Sequence, residues 1–241
     1  MTDALASAHA LLADRLADGG SGGEDPADPS AVQAMQMALN IPRDNPPERL
    51  ELLGDAARAV VKLCLDPRAA EDGPWSDALD RWYSHRIRKV ARRARNKAWL
   101  DVQGLPGVTE SSVRAFVPSA VGDVPREIRK LQVRGTEVEH SGPAPLIDAT
   151  WPTLHINAGL GMSAGKAAAQ VGHASMLLAA ALPLEWVRVW AAGGYGVNVR
   201  EVPAGEFERL AAVPGAVAVR DAGFTEIAPG SLTVVAVRGA P

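Results

Sequence analysis

The sequence lacks the features of secreted and membrane proteins. It contains a single cysteine, Cys64, in 241 residues, which excludes an internal disulfide and is typical of a reducing compartment. No apolar run reaches the ~18 residues that a membrane helix needs. Residues 1–17 include acidic side chains and no basic start, which argues against a secretion signal. We therefore expect a cytoplasmic protein without a membrane partner.

An overall excess of positive charge is also missing. The formal net charge is −3, with 47% hydrophobic and 22% charged residues, which is ordinary for a globular protein with a real core. A nucleic-acid partner would therefore need a local basic region of the protein. The side chains of His155, His173 and Cys64 are too isolated in the sequence to form a metal site, so we expect no metal.

Two segments rich in glycine, proline and serine divide the chain. The residues before the first segment form at most a loose leader helix. We predict a leader and flexible linker at 1–30, an N-terminal domain at 31–134, a second linker at 135–150 and a C-terminal domain at 151–241.

The two predicted domains share an order of elements. Each begins with an extended segment and a helix, and each later has a short segment that ends in Pro-Gly before a strand. Trp99-Leu100-Asp101-Val102 before Pro106-Gly107 corresponds in this way to Phe207-Glu208-Arg209-Leu210 before Pro214-Gly215. This order favours a diverged tandem duplication, although similar helix-turn-strand units also arise by chance.

The stretch from Gly161 to Ala174 predicts a tight turn and the start of a helix. Ser163 can cap the first turn, and Gly165 allows close approach of a backbone or ligand. Lys166 adds a full positive charge to the positive end of the helix dipole. The pattern therefore predicts a site for a phosphate or a developing oxyanion.

The same helix presents a polar face. Lys166, Gln170 and His173 are spaced by four and three residues, so they lie on one side of a helix. The opposite face is apolar and consists of small side chains. Such a helix packs closely against a sheet, with its polar face turned toward a site.

The stretch from Asp221 to Thr233 follows a strand and contains a turn at Gly223. Asp221 and Thr225 flank that turn, so a carboxylate and a hydroxyl can meet beside the sheet. A carboxylate that orients water suits ester hydrolysis, and a nearby lysine would stabilise charge on the attacked carbonyl oxygen.

These two stretches, Met162-Ser163-Ala164-Gly165-Lys166 through His173-Ala174 and Asp221-Ala222-Gly223-Phe224-Thr225 through Thr233, resemble the type II peptidyl-tRNA hydrolase family. The resemblance covers about the last ninety residues. It implies an α/β fold, which is a three-layer sandwich with a small mixed sheet between helices. If the duplication holds, this fold is present twice in the chain. It also implies an esterase without a cofactor that releases tRNA from peptidyl-tRNA.

The resemblance also assigns roles to residues at matching positions. It implies that Lys166, Asp221 and Thr225 form the catalytic core. It implies supporting, substrate-binding roles for Gln170, His173 and Thr233, together with Ser163 and Gly165 at the start of the helix.

Four departures from the family pattern change the charge of the site. Where family members usually have an arginine, an aspartate and a lysine, this chain has Asn157, Gly159 and Gly161. Glu226 replaces a glutamine that usually follows the threonine. The C-terminal domain is neutral as a result, whereas binding of tRNA depends on phosphate contacts.

The basic run from His85 to Lys97 can supply the missing charge. It contains seven Lys and Arg residues and no acidic residue. We hypothesise that Arg88, Arg92 and Arg93 contact the tRNA backbone. The alternative is the solvated face of a helix or an edge strand.

A second copy of the fold would be inactive. Pairing the two long helices places Glu48 at the position of Lys166, and a carboxylate there would repel phosphates. Pairing the strand that begins at Val113 with the strand before Asp221 places Ala115 at the position of the aspartate. Since family members commonly form dimers, we expect a monomer whose halves pack as an internal pseudo-dimer, with a homodimer as the alternative.

Three functions fit these patterns. The first is hydrolysis of the ester between peptide and tRNA. The second is a tRNA-binding module that kept the fold and lost turnover, as Asn157, Gly159 and Glu226 suggest. The third is an ester or amide hydrolase for another substrate.

Overall fold

A computed structural model describes residues 3–17, 25, 27–140, 145–221 and 226–239. The N-terminal part contains α1 (Ala4–Ala17), β1 (Gln33–Asn40), α2 (Arg49–Cys64), α3 (Pro74–Tyr83), β2 (Lys89–Ala94), α4 (Lys97–Asp101), β3 (Gly107–Glu110), β4 (Val113–Phe116), β5 (Ser119–Ala120) and α5 (Arg126–Arg129). The C-terminal part contains β6 (Thr153–Asn157), α6 (Ala164–Ala181), α7 (Leu184–Ala192), β7 (Asn198–Val202), α8 (Ala204–Ala211), β8 (Val217–Arg220) and β9 (Leu232–Val237).

Each half contains a small mixed sheet with the same topology. The N-terminal strands are ordered β2-β1-β4-β3, and the C-terminal strands are ordered β7-β6-β9-β8. In each sheet the first two strands of the chain are parallel, and the remaining neighbours are antiparallel. The strand β5 adds a short antiparallel pairing to the start of β1. The predicted α/β fold with two small mixed sheets is therefore confirmed.

The strand order corrects one prediction. β4 occupies the place of β9 and β3 the place of β8, so the expectation that Ala115 stands at the position of Asp221 is wrong. Short alternating strands look alike in sequence, and only their pairing distinguishes the third strand of a unit from the fourth. β3 and β4 are joined by Ser111 and Ser112, whereas residues 221–231 separate β8 from β9.

Alternation of side chains along the strands builds layers on both faces of each sheet. In β6, Leu154 and Ile156 are buried toward the central core that includes α2 and α6. On the opposite face of this sheet, Phe207 of α8 packs with Val202 and Val235. The C-terminal sheet therefore lies between helices, with α6 on its inner side.

The helices α2 and α6 lie between the two sheets and pack on each other. The Ser175 hydroxyl donates a hydrogen bond of 2.8 Å to the Ala57 carbonyl oxygen. A Cβ atom on Gly172 would lie 2.7 Å from Val60 Cγ2, so the glycine permits this close approach. The two halves share one buried core, which is the contact that the pseudo-dimer hypothesis requires. The oligomeric state stays a prediction.

The helix α1 is docked rather than loose, so the expectation of a loose leader helix is wrong. Ala8 and Leu12 are fully buried, and the His9 ring Nε2 lies 2.9 Å from the Ala179 carbonyl oxygen of α6. Arg15 Nε donates to Asp80 at 2.6 Å. This helix gains its order from tertiary contacts that its own sequence does not reveal.

The predicted basic run forms the loop before β2, the whole of β2, which is an edge strand of its sheet, and the first residue of α4. Among the described residues, no helix has the length and apolar character to cross a membrane.

Candidate active site

Four polar side chains of the C-terminal half form one hydrogen-bonded cluster. The Lys166 ammonium donates to Asp221 Oδ1, and Gln170 Nε2 donates to the same oxygen at 2.8 Å. The Thr233 hydroxyl lies 2.8 Å from Gln170 Oε1 and 3.2 Å from the Val219 carbonyl oxygen. The structure therefore brings together four residues that the sequence singled out, namely Lys166, Gln170, Asp221 and Thr233.

The local folds of α6 and β8 explain this geometry. Lys166 and Gln170 are four residues apart, so both point from one face of the helix toward the end of β8. The backbone amide of Asp221 donates to the Ser231 carbonyl oxygen at 2.9 Å, and the Gly230 amide donates to the Asp221 carbonyl oxygen at 2.8 Å. These bonds close the base of the loop and fix the backbone position of Asp221, from which the carboxylate extends.

Burial strengthens the electrostatic interactions between the side chains of the cluster. Asp221 and Gln170 are each 8% exposed, and Thr233 is fully buried. A buried carboxylate is stable when hydrogen bonds and an opposite charge compensate its lost hydration. Lys166 and Gln170 provide that compensation.

Other groups of the protein occupy the N-terminal end of α6. Ser163 is the cap, and its hydroxyl accepts from the Lys166 amide at 3.1 Å. The Glu226 carboxylate accepts from the Ser163 amide at 3.0 Å and from its hydroxyl at 2.7 Å. The Gly165 amide donates to the hydroxyl of buried Thr136 at 3.2 Å. Ser163 and Gly165 thus bind protein groups at the place where the sequence predicts an anion.

The cluster opens onto a cavity of about 860 Å³ between the two halves. One wall is the polar face of α6, with Lys166, Gln170 and His173. The other wall is residues 85–91, which include the loop before β2 and the first residues of that strand. The charged side chains along its described lining are Arg86, Arg88, Lys89, Lys166 and Arg220 against Asp221 and Glu226. The cavity is therefore locally basic in a chain of negative net charge.

Lys89 and His173 face each other across this cavity. Burial lowers the pKa of Lys89 from 10.5 to about 7. Burial, and then the neighbouring Lys89, lowers the pKa of His173 well below its ordinary value of 6.5. His173 is therefore a neutral imidazole at neutral pH.

The three arginines predicted to contact tRNA have different surroundings. Arg88 lines the cavity. Arg92 lies on the other face of β2, where its Nε donates to Gln36 at 2.9 Å and desolvation lowers its pKa. Arg93 donates to Gln132. The structure therefore places only Arg88 of the three at the cavity that holds Lys166 and Asp221.

Some predicted or relevant residues lie elsewhere. Thr225 falls outside the described residues. Asn157 does not line the cavity, since its side chain accepts from the Gly159 amide at 3.1 Å and donates to the Leu232 carbonyl oxygen at 3.4 Å. Sequence reasoning missed Thr136, which lies in the predicted linker, and it did not single out Lys89 within the basic run. Both act through long-range contacts, which a single sequence does not show.

Histidine, cysteine, aspartate and glutamate side chains of the described residues form no group that could hold a metal ion. The chemistry of this site rests on a carboxylate, an ammonium group, an amide and hydroxyls.

The fold and the cluster define a class: an α/β unit with a lysine–carboxylate pair at the end of a mixed sheet, an arrangement that suits hydrolysis. Residues 153–241 match the family model described as "Peptidyl-tRNA hydrolase PTH2". The match is confined to the C-terminal half, and the N-terminal half lies outside it. No curated protein and no solved structure matches the chain.

Proposed function

We propose that the protein hydrolyses the ester bond that joins a peptide to tRNA in peptidyl-tRNA. The observation that carries this proposal is the buried Lys166–Asp221 pair, braced by Gln170, at the wall of a basic cavity. The family match over residues 153–241 supports the same reaction.

The proposed mechanism uses Asp221 as the group that orients and partly deprotonates a water molecule. The water oxygen attacks the ester carbonyl carbon, and Lys166 stabilises the negative charge on the carbonyl oxygen. The carbon–oxygen bond to the ribose then breaks, and the proton held by Asp221 passes to the ribose oxygen. Following the family resemblance, we also assign the hydroxyl of Thr225 the role of holding the Asp221 carboxylate in position.

The tRNA would approach along the wall formed by residues 85–91. Arg86 and Arg88 lie on this wall and bring positive charge that the C-terminal half lacks. Phosphate contacts dominate the affinity of proteins for RNA backbones. The N-terminal half would in this way replace the cations that are missing at Asn157 and Gly161.

The test is release of an N-acetylated amino acid from its tRNA by the wild type and by Asp221→Ala and Lys166→Ala. We expect each substitution to lower kcat by about 100-fold or more, because each removes a group that acts at the reacting atoms. Matched controls are Asp123→Ala and Lys130→Ala, which remove exposed side chains that do not line this cavity. Retained activity in either cluster variant would refute the assignment, provided that thermal melts show folded protein.

One observation favours the second candidate, a tRNA-binding module without turnover. Glu226 and Thr136 occupy amides at the start of α6, where an oxyanion would otherwise bind. A folded wild type that binds tRNA and releases no amino acid would support this alternative.

A further inference from the structure

Lys89 is the first residue of β2, and its side chain lines the same cavity as Lys166 and Asp221. It belongs to the N-terminal half, outside the segment that matches the family. Its position therefore brings a second lysine to the cavity from the opposite wall.

The surroundings of Lys89 are apolar or neutral. Its ammonium lies 4.8 Å from the centre of the Trp82 ring and 3.0 Å from Met176 Sδ. Among the described residues, Cys64 of α2 and His173 of α6 are the titratable groups that interact with it, and Tyr83 of α3 and His85 line the same cavity. Within the described part of the chain, no carboxylate pairs with Lys89.

The facing groups do not compensate its charge at neutral pH. Burial raises the pKa of Cys64 to about 11 and the pKa of Tyr83 well above 10, so both are uncharged. His173 is neutral as well, for the reason given above. A partly buried ammonium without a counterion is costly, and such groups occur preferentially where a ligand supplies the opposite charge.

We propose that Lys89 binds a backbone phosphate of the tRNA that enters this cavity, an inference that rests on the proposed function. The remaining charges of the cavity support an anion at this wall, since four other cationic side chains of the described lining face two carboxylates. Glu226, one of the two, is bound to Ser163 at the start of α6.

Such a contact couples binding to protonation. The free protein holds Lys89 with a pKa of about 7, so its ammonium is largely protonated at pH 6 and largely neutral at pH 8. A bound phosphate favours the protonated form and raises this pKa. The affinity for tRNA should therefore fall about tenfold between pH 6 and pH 8, since binding at the higher pH must take up a proton.

The experiment measures the Kd for deacylated tRNA by fluorescence anisotropy at pH 6 and pH 8 and constant ionic strength. RNA phosphodiesters do not titrate in this range, so a change with pH reports on the protein. Lys89→Met removes the ammonium and keeps the shape of the side chain. Lys97→Met is the matched control, because it removes the same charge from an exposed site. His173→Gln tests whether the neighbouring imidazole causes the dependence.

We expect the wild type, Lys97→Met and His173→Gln to lose about tenfold in affinity over this range. Lys89→Met should bind more weakly than the wild type at pH 6, show little dependence on pH, and approach the wild type at pH 8. A Lys89→Met protein with the wild-type dependence would overturn the inference, as would a wild type that does not bind tRNA. Hydrolysis is not needed for this readout, so the proposed reaction and the phosphate contact can fail separately.

Discussion

The contacts of Glu226 change the interpretation of this residue. In the sequence it is an anion in place of a neutral glutamine, and it suggests a degraded site. In the structure its carboxylate accepts two hydrogen bonds from Ser163 at the positive end of α6. A negative charge there is stabilised by the helix dipole. Glu226 therefore has a structural role in addition to its effect on the charge of the cavity.

Lys89 should destabilise the folded protein in a way that depends on pH. Its pKa is about 7 in the folded state and near 10.5 when exposed, so the unfolded state binds more protons between these values. The destabilisation is complete below pH 7 and disappears toward pH 10.5. The shift from 10.5 to about 7 corresponds to roughly 5 kcal/mol, and partial exposure of the side chain reduces this cost. We expect Lys89→Met to raise the free energy of unfolding by about 2 kcal/mol at pH 6.5 and by less at pH 9.

Urea denaturation at the two pH values measures this difference. Lys97→Met should change the stability by less than about 0.5 kcal/mol at both, since its ion pair with Asp101 is exposed. If Lys89→Met lowers the stability at pH 6.5, the ammonium is well solvated and the expected cost of burial does not exist.

Much of the site could be predicted from sequence at the scale of residues. The spacing of Lys166 and Gln170 fixes their common face, and Asp221 follows the strand that delivers it to them. Thr136 and Lys89 could not be predicted in the same way. They reach the cavity through the packing of one half on the other, and no local pattern encodes that packing.

At the scale of elements, the approach of α2 to α6 depends on small side chains. A glycine at position 172 and the hydroxyl of Ser175 allow the two backbones to come close. This spacing also positions the polar face of α6, with Lys166, opposite the start of β2.

Gly172→Ala should therefore destabilise the protein by about 1–2 kcal/mol, because the added methyl group would overlap Val60 in the core. The overlap outweighs the gain of about 1 kcal/mol that alanine brings to a helix interior. Gly205→Ala in α8 is the control, since an added Cβ there meets no atom within 4 Å. Urea denaturation of both variants should give opposite signs. Equal stabilisation by the two substitutions would mean that the helices are not in close contact.

The short length of β4 explains why the sequence assigned this strand to the wrong counterpart. The sequence predicted an extended segment and a helix at the start of each domain, and the structure has β1 and α2 in one half and β6 and α6 in the other. The sequence paired the strand at Val113 with the wrong strand of the other unit, because an alternating strand of four residues carries no information about its neighbours. The two-residue connection at Ser111 leaves no counterpart of the loop that begins at Asp221.

At the scale of the whole molecule, the two halves form one body with the cavity between them. The predicted linker contributes to this arrangement. Arg49 of α2 donates to the Val138 carbonyl oxygen at 3.2 Å, to the Met162 carbonyl oxygen at 2.8 Å and to Glu201 at 2.9 Å. A residue of the N-terminal half thus holds both the linker and the turn before α6. The presence of two small mixed sheets could be predicted from the sequence, whereas this arrangement depends on contacts across the whole chain.

In the proposed function, both halves of the molecule build the site of peptidyl-tRNA hydrolysis. The most direct measurement is the kcat and KM of Arg88→Glu with N-acetyl-aminoacyl-tRNA, compared with Arg126→Glu, which reverses an exposed charge outside the cavity. We predict that Arg88→Glu raises KM by about tenfold or more with little change in kcat, because it weakens phosphate binding without touching the reacting atoms. Arg126→Glu should behave like the wild type. Equal KM values for Arg88→Glu and the wild type would contradict the account, since the N-terminal half would then be no part of the site.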